Sequence, residues 1–167
     1  MDNKTKFLLA SKCSGRSRNK KDAQNVFTEA YKQNVKMPNQ IITDRCPSYQ
    51  DGIRKTFRNW GNERKVKHTS IVNKRHIVNN NAVENLHTHQ KEFQKVRRGL
   101  TEIQTYSDGF RTYHNFIRKM VKNKQTPADM CGIGINEINR WEAMLLKSLE
   151  KAPNLTGDLK CEISHAD

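Results

Sequence analysis

Long hydrophobic runs are missing from these 167 residues, and no apolar stretch approaches the roughly 20 residues that a membrane-spanning helix needs. The amino end also lacks the basic, apolar and small-residue pattern of a secretory signal. Both absences point to a soluble, cytoplasmic chain. Paired cysteines are missing too. Cys13, Cys46, Cys131 and Cys161 stand far apart with no C-x-x-C. That spacing excludes zinc-ribbon and dithiol redox readings and leaves scattered reduced thiols. Hydrophobic residues make up only 34%, so the core is expected to be thin for this length. There is no internal repeat.

Acid is scarce. The chain has 17 Asp and Glu against 31 Lys and Arg, a formal net charge of +14. Such a balance says nothing about fold but favours polyanionic partners. The bases cluster: Arg16, Arg18, Lys20 and Lys21 flank one loop. Lys65, Lys67, Lys74 and Arg75 precede Glu84, while Lys91, Lys95, Arg97 and Arg98 follow it. Phosphate contacts from these groups would give nucleic-acid affinity that falls steeply with salt.

The element pattern is β-α-β-α-β followed by helices, an α/β layer arrangement in one domain. Phe7–Ala10 reads as a short strand. Asp22–Asn34 reads as a helix with Val26, Phe27, Ala30 and Tyr31 on one face. Gln40–Thr43 is a second strand, apolar enough to be buried on both faces. Pro47 opens a helix continued by Ile53, Phe57 and Trp60, and Arg64–Ser70 is a third strand. Asn81 to Val96 is a helix with Val83, Leu86, Phe93 and Val96 on one face and Glu84, His87, Lys91 and Lys95 on another. Further helices are expected over Thr101–Asn123 and Ile135–Leu149.

Two acids stand out. Asp44 closes Gln40-Ile-Ile-Thr-Asp44, at the carboxyl end of a strand, where α/β folds place their ligands. It reads equally as a turn aspartate accepting main-chain hydrogen bonds. Glu84 opens the helix after Asn79-Asn-Asn-Ala-Val. There it is a metal-ligand candidate or a carboxylate favoured by the helix dipole. Two converging carboxylates suit Mg²⁺ or Mn²⁺, and a metal pair can clamp both oxygens of a phosphoryl displacement. His87 and His89, two apart, do not share a helix face and cannot chelate together.

In order along the chain, Ile41-Ile-Thr-Asp44, Pro47-Ser-Tyr49, Asn80-Asn-Ala-Val-Glu84 with His87 and Lys91, Arg98-Gly-Leu100, and Thr126-Pro-Ala-Asp129 resemble the catalytic core of prokaryotic DDE-type insertion-sequence transposases. The step of 40 positions from Asp44 to Glu84 adds to the likeness, which covers roughly residues 2–133. It implies a ribonuclease H-like fold in which an Asp, Asp, Glu triad holds two Mg²⁺ ions, or Mn²⁺ in their place. It also implies DNA as partner, both element ends and target, for cleavage and strand transfer by a nucleoid-associated protein that can form homo-oligomers. By the same resemblance Asp44 is the second acid and Glu84 the third, both catalytic and metal-binding. The resemblance sets Lys91 beside DNA and His87 beside the glutamate. The bases Lys74, Arg75, Lys95, Arg97 and Arg98 join them as DNA-binding candidates. Arg45 departs from a common glycine.

The first acid has no counterpart. Met1–Ala10 resembles the turn and third strand of the family's hairpin, which makes Asp2 a turn aspartate. The helix and strand between Asp2 and Asp44 leave no room for two more strands. The expectation is therefore an incomplete ribonuclease H-like fold without its first strand and most of its second. Residues 1–133 would form a partial catalytic core, 134–152 a carboxyl-terminal helix and 153–167 a disordered tail. The family's upstream DNA-recognition segment is missing as well, and the chain is expected to be inactive alone. The competing reading is a non-catalytic basic nucleic-acid-binding module or transposition regulator.

Overall fold

A computed structural model describes residues 1–13, 19–34, 36–58, 66–71, 81–95 and 102–151. Its elements are α1 (Lys20–Gln33), β1 (Gln40–Thr43), α2 (Pro47–Thr56), β2 (Lys67–Ser70), α3 (Asn81–Lys95), α4 (Ile103–Thr112), α5 (Pro127–Met130) and α6 (Arg140–Lys151). The fold is mixed α/β and mostly helical, with a two-stranded parallel sheet. Several sequence expectations lie outside the described residues. These are the Ser14–Ser17 loop, Trp60, the Gly61-Asn62 break, the basic residues Lys74 and Arg75, the Val96–Leu100 segment and the 153–167 tail.

α1 starts two residues before the expected Asp22 because Asn19 caps it. Asp22 N–H donates to Asn19 Oδ1 (2.8 Å) and Asn19 N–H to Asp22 Oδ2 (3.2 Å), which satisfies two otherwise orphaned amides. α1 packs against α2 at Gly52. A β-carbon there would lie 3.2 Å from Ala23 main-chain and side-chain carbon, so only glycine allows this approach without a shift. Around the contact, Ile53, Phe57 and Val66 form a first core with Phe27 and Ile41. Phe27 meets the Tyr49 ring edge-on at 6.1 Å.

β1 and β2 pair in parallel, Gln40 opposite Lys67 and Thr43 opposite Ser70. Lys67 N–H donates to Asn39 C=O and Ile71 N–H to Thr43 C=O, each at 3.0 Å. The odd-numbered residues of β1 therefore spend their main-chain groups on β2, and Gln40 and Ile42 turn theirs toward the opposite edge. β1 is less buried than its composition suggests. Only Thr43 is buried, because among the described residues no second strand flanks it.

Phe7–Ala10 does not form a strand. The segment is extended, but side chains of α4 and the turn after it take the place of a strand partner. Leu8 N–H donates to Asn115 Oδ1 (2.8 Å), and Asn115 Nδ2 donates to Leu8 C=O (3.1 Å). His114 Nε2 donates to Lys6 C=O (3.0 Å), since a carbonyl can only accept. Gln104 brackets the far end, receiving Cys13 N–H (2.9 Å) and donating to Ser11 C=O (3.1 Å). Gln104, Ser107, Arg111 and His114 recur at helical spacing, so one helix face holds the whole segment. A second core lies beneath it, built from Leu8, Leu86 and Phe110 with Met1, Phe93 and Tyr113 around them.

The expected long helix over Thr101–Asn123 stops early. α4 ends at Thr112, and Tyr113–Ile117 form one widened π-helical turn closed by Arg118 N–H on Tyr113 C=O (2.9 Å). The wider turn brings the consecutive residues His114 and Asn115 round to the same extended segment, a demand that regular α-helical spacing does not meet. The last helix also starts later than expected, at Arg140 rather than Ile135.

Arg140 ties α6 down. Its guanidinium donates to Phe116 C=O and Thr126 Oγ1, each at 3.1 Å, and to Asp129 Oδ2 at 3.0 Å. Ala143 is buried, whereas Trp141, Leu145, Leu146 and Leu149 of α6 stay exposed.

His114 makes the attachment of the amino-terminal segment pH-dependent. Burial, helped by the charges of Arg118, His89 and the amino terminus, lowers its pKa despite the bond to Lys6 C=O. The Nδ1 atom is buried without a partner, so a proton there has nothing to receive it. The unfolded chain takes up that proton first as pH falls, so this contribution is complete above about pH 6.5 and is lost below it. Amide exchange at Leu8 is expected to quicken as pH drops from 7 to about 5, after correction for intrinsic rates. In His114→Gln that extra acceleration should vanish.

Candidate metal centre and nucleic-acid face

Asp44 sits one residue past β1, where the ladder to β2 fixes its position. Its Oδ1 accepts Cys46 N–H (3.0 Å), and its main-chain carbonyl accepts the hydroxyls of Thr43 (2.8 Å) and Ser70 (3.2 Å). These bonds make the turn aspartate of the sequence reading real, but they engage only one carboxylate oxygen and leave the side chain exposed. Thr43 Oγ1 also meets His68 Nε2 at 2.8 Å. Partial burial lowers the pKa of His68, which favours the neutral ring beside Thr43.

Glu84 lies in the first turn of α3 and is exposed, and its C=O accepts the Thr88 hydroxyl (3.2 Å). Asp44 and Glu84 line the same hollow of about 580 Å³, together with His87. Its floor is apolar, with Leu8, Val26, Phe27, Ile42 and Val83 among the lining residues. Asp44 and Glu84 thus line one opening, reached from two different elements.

The family model for the DDE domain matches residues 1–124. The chain belongs to the DDE-type insertion-sequence transposase family. No curated protein and no solved structure matches it. Membership relates the chain to DNA transposition and implies a ribonuclease H-like fold and DNA as the family's substrate. No helix among the described residues is long and apolar enough to cross a membrane.

A divalent cation is the family's usual cofactor, and the hollow offers part of a shell for one. The two carboxylates are hard oxygen donors of the kind Mg²⁺ takes. Among the described residues, however, no group of three or more His, Cys, Asp or Glu is gathered closely enough to hold a metal. The donor set present therefore suits a cation that keeps most of its water.

The remaining sequence-marked residues fall into two sets. Lys91 and Lys95 are exposed on α3 beyond the hollow. Lys74, Arg75, Arg97 and Arg98 lie outside the described residues. The two histidines part company as their spacing requires. His87 borders the hollow, while His89 Nε2 accepts from Arg118 Nη2 (2.8 Å) and turns Nδ1 toward Glu92 (3.5 Å). Asp2 does not line the hollow of the two acids but the adjoining one. Its Oδ2 accepts the Thr5 amide (2.7 Å) and hydroxyl (2.6 Å) in a tight turn. Partial burial acts to raise its pKa, but the bonds from Thr5 and Lys4 and the terminal ammonium outweigh that and hold it low.

Sequence reasoning missed two β2 residues: Ser70, which bonds the Asp44 carbonyl, and His68, which bonds Thr43 Oγ1. No local signal points to them, because their place follows from a strand register set 27 residues away. It also missed Asn115 and His114, whose contacts span more than 100 positions.

Proposed function

We propose that this chain is part of a DDE transposase catalytic domain in which Asp44 and Glu84 are the second and third acids of the triad and bind Mg²⁺ or Mn²⁺. The observation that carries this reading is the shared hollow: both carboxylates line it and both are open to solvent. When bound, the metals would activate and stabilise the oxygens of a phosphodiester under attack. The chain's own groups have simpler tasks. Asp44 is aimed by the Cys46 amide and by the β1 register, and Glu84 by the first turn of α3. Lys91 and Lys95 continue the α3 surface as phosphate contacts, and the bases Lys74, Arg75, Arg97 and Arg98, with His87 at the rim, are the other proposed DNA contacts.

The sequence supplies two of the family's three acids. We therefore read the fold as ribonuclease H-like without its first strand and most of its second, and the chain as unable to join DNA ends alone. The gap between Lys6–Cys13 and β1 supports this reading, since the family fold would set those strands there.

Mn²⁺ titration followed by paramagnetic relaxation tests the metal assignment. Asp44→Asn and Glu84→Gln are each expected to weaken Mn²⁺ binding by at least about tenfold, the lower end of what even loss of an outer-shell partner costs. Unchanged affinity in both variants would remove the assignment and favour the alternative, a basic nucleic-acid-binding module or transposition regulator. DNA affinity should fall about 10³-fold or more between 50 and 200 mM salt if six or more phosphates are neutralised. Metal-dependent strand transfer by the wild-type chain, lost in both variants, would show that two acids suffice.

A further inference from the structure

The cleft beside β1 is built like half of a sheet. Gln40 and Ile42 present their N–H and C=O groups to its open side at the two-residue period of a strand edge, since their neighbours are spent on β2. Among the described residues no strand pairs with that edge. Across the cleft lies the Phe7–Cys13 segment, held on its far side by Asn115, with His114 bonding the preceding Lys6 carbonyl. Leu9 and Ala10 border the cleft, and their amides meet no partner among the described residues. Two adjoining hollows of about 580 and 480 Å³ share Met1, Phe27, Ile42, Thr43 and Val83, so the opening runs the length of β1.

We propose that this cleft is a receptor for an extended polypeptide segment with alternating small apolar side chains, which adds to β1 as a further strand. The lining decides among occupants. A nucleic-acid strand laid along β1 would set its charged backbone against an apolar floor, which disfavours it. A small apolar ligand would fill the floor but leave the Gln40 and Ile42 groups buried and unpaired. An extended peptide meets both needs, with main-chain bonds along one edge and side chains directed to the floor at alternate positions. The proposal uses neither carboxylate as a ligand, so it stands or falls apart from the metal assignment.

The alternation provides the test. The probe is a seven-residue peptide of alternating valine and threonine with lysine at each end. It is added without metal or DNA to the full chain, and amide exchange is followed by NMR. At about 1 mM peptide, exchange at Gln40 and Ile42 should slow by about tenfold or more, while Ile41 and Thr43, already bonded to β2, change little. The same peptide methylated at alternate amide nitrogens, so that one edge cannot donate, should give no protection when that edge must face β1. Gln40→Ala should retain the effect. Gln40→Pro, which removes one open-edge donor at the first position of the strand, should weaken it, with the Ile71 amide still protected as proof that the ladder survives. No protection at about 1 mM, equal protection of all four amides, or protection by both methylated forms would overturn the proposal.

Discussion

Asn115→Ala is expected to release the amino-terminal segment from the body of the protein. The side chain is 3% exposed and holds both main-chain groups of Leu8, itself a member of the second core. Truncation leaves a buried N–H and a buried C=O without partners, and each orphaned group costs about 1–3 kcal/mol. A loss of about 2–4 kcal/mol follows, since some water can enter the shortened site. For a marginally stable chain with a thin core that is a large fraction of the total. Denaturant unfolding with amide exchange at Leu8 measures both halves of the effect. A drop in midpoint of less than about 0.5 kcal/mol equivalent, with Leu8 still protected, would mean that the Gln104, Arg111 and His114 bonds and the apolar side chains hold the segment without Asn115.

The second large effect comes from two glycines that look alike in sequence and should respond with opposite sign. Gly109 lies inside α4, and a β-carbon there meets nothing within 4 Å. Gly109→Ala should therefore stabilise the chain by up to about 1 kcal/mol through helix propensity. Gly134 sits against Asp129. A β-carbon there would collide with the Asp129 carboxylate and lie 2.9 Å from its Cα. Gly134→Ala must push Asp129 off its bonds to Arg140 and to the Thr126 amide (2.9 Å). Overpacking of this kind costs about 1–3 kcal/mol, and α6 loses its main polar tie as well. Paired thermal melts should move in opposite directions. Equal shifts would place the anchoring of α6 elsewhere.

Much of the element order was legible. Gln40–Thr43 and the start of the Asn81 helix stand where the apolar period and the asparagine run place them, because both signals are local. The Thr126–Asp129 cap is local in the same way, since its two bonds join residues three apart. The family was legible too, from short motifs kept in order. What the sequence concealed is pairing at long range. Phe7–Ala10 has the composition of a strand, and nothing in it says that a helix face would bind it instead. The early end of α4 follows from the same hidden contact, because His114 and Asn115 look like ordinary mid-helix polar residues until their partners are known. For the candidate site, the two acids show in the sequence as carboxylates at a strand end and a helix start, whereas the Ser70 hydroxyl on the Asp44 carbonyl depends on how β2 slides along β1.

That dependence has a historical consequence. Asp44 has no loop of its own to adjust its reach; it takes its place from a four-residue strand whose frame is set by the Asn39 and Thr43 carbonyls. Gaining or losing one residue inside Gln40–Thr43 would invert the two faces of the strand and carry the acid to the wrong side. On the proposed metal assignment, relatives should therefore vary freely in length between Gln33 and Asn39, while any lineage that gained or lost a codon within the strand should have lost the site.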